Sequence, residues 1–243
     1  GGGSDDGTKE NVQFKHVVID NQGPKNPWAK IICDIDGDGL DDIVIGGQKG
    51  PLVWYRSPDW SEHRICEGGY ETVDGEAGDI DGDGDLDIVM GGILWYENPG
   101  SSEVSDAKNW KAHRIAQHET HDVEVADLDN DGDIDVVTRN QSDFGRKAGN
   151  RIHVWIQETP DRWNEHVIEC PHGEGICLAD LDTDGDPDIE IGALWFENTQ
   201  NGQWVRHEYG TWHPSATVQV ADINNDGRPD IVLSQSELKG QPY

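Results

Sequence analysis

Five acidic nonapeptides recur along the chain: DIDGDGLDD from Asp34, DIDGDGDLD from Asp79, DLDNDGDID from Asp127, DLDTDGDPD from Asp180 and DINNDGRPD from Asp222. Their first residues lie 45, 48, 53 and 42 positions apart. Self-similarity at a period of roughly 40 to 50 residues means an array of like units, each burying its apolar faces against its neighbours. The fold class follows from what lies between the nonapeptides.

Each nonapeptide is laid out as a cation loop. Ca2+ prefers about six to eight oxygen ligands on a sharply curved segment. In the second copy Asp79, Asp81 and Asp83 put carboxylates on alternate residues, Gly84 allows the bend, the carbonyl of Asp85 turns inward and Asp87 closes the sphere. The first copy offers Asp34, Asp36, Asp38, the Leu40 carbonyl and Asp42. The third offers Asp127, Asp129, Asp131, Asp133 and Asp135, and the fourth Asp180, Asp182, Asp184, Asp186 and Asp188. The fifth exchanges one carboxylate for an amide, with Asp222, Asn224, Asp226, Arg228 and Asp230. Up to five Ca2+ are therefore expected. An EF-hand is excluded, because its twelfth loop position needs Glu and both flanks need helices. Here that position holds Ile45, Met90, Thr138, Ile191 and Leu233, and the flanks read as strands.

The formal net charge of −31 on 243 residues agrees with a cation binder. Unscreened, it opposes compaction, and five Ca2+ would cancel about ten charges. The remainder repels nucleic acid and anionic membrane, so neither is an expected partner. Ten Trp and a regular apolar pattern argue for a packed core over disorder. No segment is long and apolar enough for membrane insertion, and no signal peptide is visible. Residues 1–10, beginning GGGSDDG, read as a flexible segment, and 11–243 as the repeats.

Between nonapeptides one order of elements is kept. A short stretch such as HDVEVA or SATVQVA precedes the loop, and an apolar run such as DIVIGG, DIVMGG or DVVTRN follows it. Next comes an aromatic strand (LVWYRSP, LWYENP, IHVWIQE, LWFENT), then a segment with Trp three residues before His: Trp60 and His63, Trp110 and His113, Trp163 and His166, Trp204 and His207. All four segments are short, rich in β-branched and aromatic residues and bounded by Gly, Pro, Asn and Asp, which marks strands. Four strands per unit at this period predict an all-β protein, a β-propeller of four-stranded blades.

With these loops and the aromatic strands behind them, the chain resembles the FG-GAP or VCBS repeats of secreted β-propellers, a family that includes the calcium-bearing propeller of integrin α chains. The resemblance covers nearly the whole chain. It implies a secreted, extracellular module and a ring commonly of seven blades, so a remainder of a longer propeller is an expected partner. The fifth unit breaks off where its aromatic strand is due. A five-bladed ring closed by an N-terminal strand at FKHVVID is the alternative. Propellers host lectins, lyases and scaffolds alike, so the motif says little about function.

Function is sought where the repeat is broken. His16, His63, His113, His166 and His207 occupy one repeated place and read as structural. His153 lies on an aromatic strand and reads as a packed or edge residue. His118, His121, His172 and His213 precede first strands, which in a propeller line the central channel. Period-two alternation puts Asp74, Glu76, Asp122, Glu124, Thr217 and Gln219 on the face opposite the apolar set. With Glu174, Trp28 and Lys30 they predict a mouth crowded with imidazoles, carboxylates and an indole. The leading reading is a carbohydrate-binding or scaffold and adhesion module with a glycan or an extracellular protein as partner. The alternative is a sugar-acting enzyme, a polysaccharide lyase or dehydratase, with His118, His121, Glu124, His172, Glu174 and His213 as candidate catalytic residues and a transition metal at the mouth. No nucleophile motif or HExxH spacing supports the latter. Rim adhesion through the loop at 142–150, with Arg146 and Lys147, is a third reading.

Two further expectations concern single positions. Glu190 stands where other units carry Val44, Val89, Val137 and Val232, so it needs a partner such as an Arg or His of a neighbouring blade, or an open face. The four Cys, at 33, 66, 170 and 177, are compatible with either free thiols or bridges, Cys170 with Cys177 being the more plausible pair.

Overall fold

The computed structural model describes residues 14–70, 74–118, 120–140, 150–200, 202–211 and 216–235. Residues 1–10, His213, Arg146 and Lys147 lie outside these, and with them the readings placed there. No helix occurs among the described residues.

The first sheet comprises β1 (Pro27–Cys33), β2 (Asp42–Gly47), β3 (Leu52–Arg56) and β4 (Ser61–Cys66). The second comprises β5 (Gly75–Gly78), β6 (Asp87–Met90), β7 (Leu94–Glu97) and β8 (Lys111–Arg114). The third runs through β9 (Asp122–Ala126), β10 (Asp135–Arg139), β11 (Arg151–Thr159) and β12 (Arg162–Glu169). The fourth runs through β13 (Cys177–Ala179), β14 (Asp188–Glu190), β15 (Leu194–Asn198) and β16 (Trp204–Glu208). The described part of the fifth is β17 (Ala216–Ala221) and β18 (Asp230–Gln235). Every sheet is an antiparallel meander in chain order. The all-β blade architecture read from the sequence is therefore the one observed.

The blades pack through apolar side chains that come mainly from their first three strands. Ile31, Val44 and Trp54 of the first sheet meet Ile88, Met90 and Tyr96 of the second. Val89 and Trp95 meet Val123, Val136 and Trp155. Val137 and Val154 meet Ile189 and Phe196, and Cys177 meets Ala216 and Val218. Burying one such side chain is worth about 1.5–3 kcal/mol. The first strands touch in series, β1 with β5, β5 with β9, β9 with β13 and β13 with β17.

The two ends differ from the middle. Ile35, Ile80 and Leu128, the second residues of the first three loops, are buried under the following sheet, whereas the equivalent Ile223 is 62% exposed. Val44, Val89 and Val137 are inaccessible, whereas Val232 is 43% exposed. On the first sheet Ile32 is 62% exposed.

Four expectations are corrected or refined. The FKHVVID segment forms no strand: Phe14 is 93% exposed and Val17 and Val18 are open, since no described inner strand lies beside it to pair with. His16 therefore has no place in a blade. The repeated His is structural in three blades, where His63, His113 and His207 stack on Trp54, Trp95 and Trp195 at 4.3–4.6 Å between ring centroids. In the third blade His166 faces Val154 instead, because β11 presents Trp155 on the other face, opposite Val136. Glu190 is wholly buried, and its partner is neither Arg nor His: Tyr209 Oη and the Gly192 amide donate to its carboxyl at 2.5 and 2.8 Å. Burial pushes that carboxyl up to about 7.

All four Cys are free thiols. Cys170 packs against the core between the third and fourth sheets, while Cys177 belongs to the core between the fourth and fifth. Cys33 and Cys66 sit on β1 and β4, the opposite edges of one sheet. Three strand spacings separate them by about 14 Å, twice the reach of a disulfide.

Candidate functional site

Two constellations stand out, the acidic loops and a cavity among the first strands. In each loop the sixth residue is Gly with φ between 82 and 103° (Gly39, Gly84, Gly132, Gly185, Gly227), a conformation that strains any side chain. The bend lets the first Asp reach back: Asp34 Oδ2 accepts from the Gly39 amide at 2.8 Å, and Asp180 Oδ2 from that of Gly185 at 3.1 Å.

The ninth residue does a second job. Asp42, Asp87, Asp135, Asp188 and Asp230 each accept the amide of the loop's second residue on Oδ2 at 2.9–3.1 Å. In the first four loops Oδ1 accepts an amide at the end of the third strand, from Ser57, Asn98, Gln157 or Asn198, at 2.7–2.9 Å. The last Asp thus fastens loop to sheet. Burial pushes Asp87 and Asp135 up to about 7 and Asp188 to about 6.

The donor sets fit a hard cation in four loops. One carboxylate oxygen from each of Asp34, Asp36 and Asp42 lies within 4.8 Å of the others, as in Asp79, Asp81 and Asp87, in Asp127, Asp129 and Asp135, and in Asp180, Asp182 and Asp184. Asp79 Oδ1 and Asp127 Oδ1 are buried without a hydrogen-bond partner, which is costly for a carboxylate unless a cation meets it. Two loops hold a cation of their own. Arg56 pairs with Asp36 at 2.6 Å and Asp38 at 3.3 Å, and Arg228 pairs with Asp226 at 3.0 Å.

The cavity, about 680 Å³, is bounded by the start of every sheet. β1 contributes Trp28 and Lys30, β5 and the residue before it Glu76 and Asp74, β9 and the residue before it Asp122, Glu124 and His121. Glu174 comes from the segment before β13, and Thr217 and Gln219 from β17. The alternation read from the sequence thus gathers the predicted residues at one site. Among the described residues His121 lines it, whereas His172 and His118 do not.

His121 is the pivot of the cavity. Its Nδ1 is 3.0 Å from Asp122 Oδ1 and its Nε2 3.4 Å from Glu174 Oε2. Burial alone would lower its pKa, but the hydrogen bond to Asp122 and the charges of Asp122 and Glu174 raise it. Asp122 Oδ2 accepts the Gly175 amide at 2.9 Å and Asp74 Oδ2 the Val123 amide at 3.1 Å, so these carboxylates also tie successive sheets together. Burial, then the neighbouring Glu76, Asp74 and Asp122, pushes Glu124 up to about 9. Glu76 rises to about 7 and Asp74 to about 6 by burial first. Near neutral pH the site therefore mixes protonated acids, which donate, with carboxylates, which accept.

Arg139 was not legible as part of this site. It is 1% exposed, and its guanidinium donates to the carbonyls of Gly175 at 2.7 Å and Pro171 at 3.0 Å, holding the turn that carries Glu174. The only sequence signal is an Arg in a run whose counterparts are apolar or small.

The family model for the FG-GAP-like repeat matches residues 34–90 and 79–138. Residues 34–138 are thus similar to FG-GAP-like repeats, each match running from one acidic loop through the apolar strand after the next. No curated protein matches the sequence. Among solved structures, one similar to this chain is the crystal structure of the V. cholerae biofilm matrix protein Bap1, at 17% identity and a TM-score of 0.47. The match covers 90% of this chain and 37% of that one.

Proposed function

We propose that the chain is an extracellular, calcium-stapled repeat module of the propeller type whose central cavity binds a saccharide, serving as a carbohydrate-binding or scaffold element. The observation that carries this is the cavity itself. The first strands and the residues leading into them deliver an indole, an imidazole held between two carboxylates, and three further acids to one concave, polar space. Carboxylates and imidazoles hydrogen-bond vicinal hydroxyls, and an exposed Trp28 gives a face for a pyranose to stack on. The acidic lining and the charge of −31 favour a neutral or basic sugar over a uronate or sulfated one.

Calcium belongs to the same proposal. Hard-oxygen loops with buried, unpartnered carboxylate oxygens at Asp79 and Asp127 support it. The cation would supply charge neutralisation and fix each loop against its sheet. The bared Ile223, Val232 and Ile32 support further blades beyond the five units, since in the middle of the array a neighbouring sheet covers the corresponding faces.

Catalysis is the second reading, favoured by His121, whose carboxylate neighbours orient it as a base would be oriented. A screen of neutral, basic and acidic glycans with the wild type, Trp28→Ala and Glu124→Gln tests the main reading. Binding lost in both variants supports the cavity. Equal binding by all three, or preference for uronates, sinks it. Turnover of a bound sugar, abolished in His121→Ala, would replace binding by catalysis. Elemental analysis that finds no calcium, with a melting temperature indifferent to chelator, would sink the calcium half alone.

A further inference from the structure

We propose that His118, His153 and Glu165 form a transition-metal site, suited to Zn2+, on the third blade and apart from both the acidic loops and the cavity. The starting point is a residue in the wrong slot. His153 pairs with Thr138 on β10, the place filled by Val53, Leu94 and Leu194 in the other blades, and is itself 6% exposed. An imidazole buried where the fold elsewhere puts an aliphatic chain is costly without partners. Its Nδ1 lies 2.6 Å from Glu165 Oε1, on the adjoining strand β12.

Glu165 alone would satisfy that imidazole, yet a third ligand converges. His118, from the segment linking β8 to β9, sets its ring 4.8 Å from that of His153, and its Nε2 lies 3.8 Å from the same Glu165 Oε1. One donor atom from each of the three residues falls within 4.8 Å of the others. Tetrahedral Zn2+ with bonds of about 2.0–2.2 Å separates its donors by about 3.3–3.5 Å. The observed 2.6 and 3.8 Å bracket that, so rotation of exposed side chains suffices to close the shell. His118 and Glu165 are 40% and 34% exposed at the side chain while His153 is 7%, which leaves a solvent-facing position for water or a ligand. Trp155, its ring 5.5 Å from that of His118, walls the inner side.

The donors set the choice of metal. Two imidazoles and one carboxylate suit Zn2+ or a neighbouring first-row ion, whereas Ca2+ prefers the all-oxygen loops. The two sites are therefore separable in one protein.

Cobalt(II), which reports tetrahedral nitrogen and oxygen ligation by visible absorption, is the probe, added to calcium-saturated protein so that the acidic loops are filled. The expected result is one equivalent of Co2+ with an intense visible band, displaced by Zn2+, lost in His118→Ala and in Glu165→Gln, and unchanged in His121→Ala. His118 lies on a connecting segment, so its removal leaves the blades folded, and an unshifted melting temperature in calcium checks this. The absence of any band would overturn the proposal. So would a band that survives His118→Ala, or one lost only in His121→Ala, which would put the metal in the cavity.

Discussion

Asn98 Nδ2 donates to the carbonyl of Ile35 at 2.9 Å across 63 residues, so the second blade holds the acidic loop of the first. Asn198 repeats the contact from the fourth blade to the third, reaching the Leu128 carbonyl at 2.7 Å across 70 residues. Each amide also accepts, on Oδ1, a backbone amide two residues on, and each sits within the buried set. The same side chains donate to Leu86 and Pro187 carbonyls in their own blades. A single Asn thus joins a loop, its own sheet and the preceding blade.

Replacing Asn198 by Leu should destabilise the protein by about 1–3 kcal/mol, the cost of leaving buried carbonyls unpaired. Urea unfolding in saturating calcium measures it. A loss no larger than that of an exposed control such as Gln203→Ala would refute the role given to Asn198.

Arg56 acts as a built-in counterion of the first loop, paired with Asp36 and Asp38. Its side chain is half exposed, so solvent and salt screen the pair. Arg56→Gln should lower the melting temperature in chelator, lower it less in calcium, and tighten calcium binding at one loop. Calorimetric titration that finds every loop unchanged would show that the guanidinium does not compete.

The cavity acids give a pH dependence of definite sign. Glu124 is raised to about 9 and Glu76 to about 7, above an ordinary value of 4.5, so the folded state holds these protons more tightly than the unfolded one. Their contribution is fully present below the unfolded pKa and is lost as pH climbs toward the folded values. Glu124→Gln should therefore raise the melting temperature by a few degrees near pH 9 and by little near about pH 5. An equal shift at both ends would mean that the group titrates normally.

Reductant should leave the melting temperature unmoved, and four thiols should react with a thiol reagent once the chain is unfolded in its absence. Burial pushes the Cys33 thiol up to about 12 and that of Cys177 to about 11, so neither should react at neutral pH in the folded protein. Loss of about 2–4 kcal/mol on reduction would instead reveal a bridge.

The loops, the blade order and the cavity lining were legible because each is written several times over, and a period-two pattern needs only a common register to be read. Residues that act once were not. Glu190 finds Tyr209 through a fold-back at the end of its own blade, a pairing no spacing rule supplies. His118 was drawn to the cavity by its position ahead of β9, but its linking segment runs outward to Trp155 and His153. The aromatic strand of the third blade looked like the others, although Val154 there takes the slot of Trp54, Trp95 and Trp195. FKHVVID had the composition of a strand without a partner to pair with, and composition carries no information about partners.

The contacts between the blades run from each blade to the next: Asn98 to Ile35, Asn198 to Leu128, Asp122 to Gly175. Stability in such an array is a nearest-neighbour sum, as in a one-dimensional lattice of coupled spins. A defect in the third blade is therefore felt by both the second and the fourth, with which it shares its cores. Hydrogen exchange should accordingly be slower at β7 and β10, whose Trp95 and Val137 are sealed between sheets, than at β1 and β18, whose Ile32 and Val232 are bared.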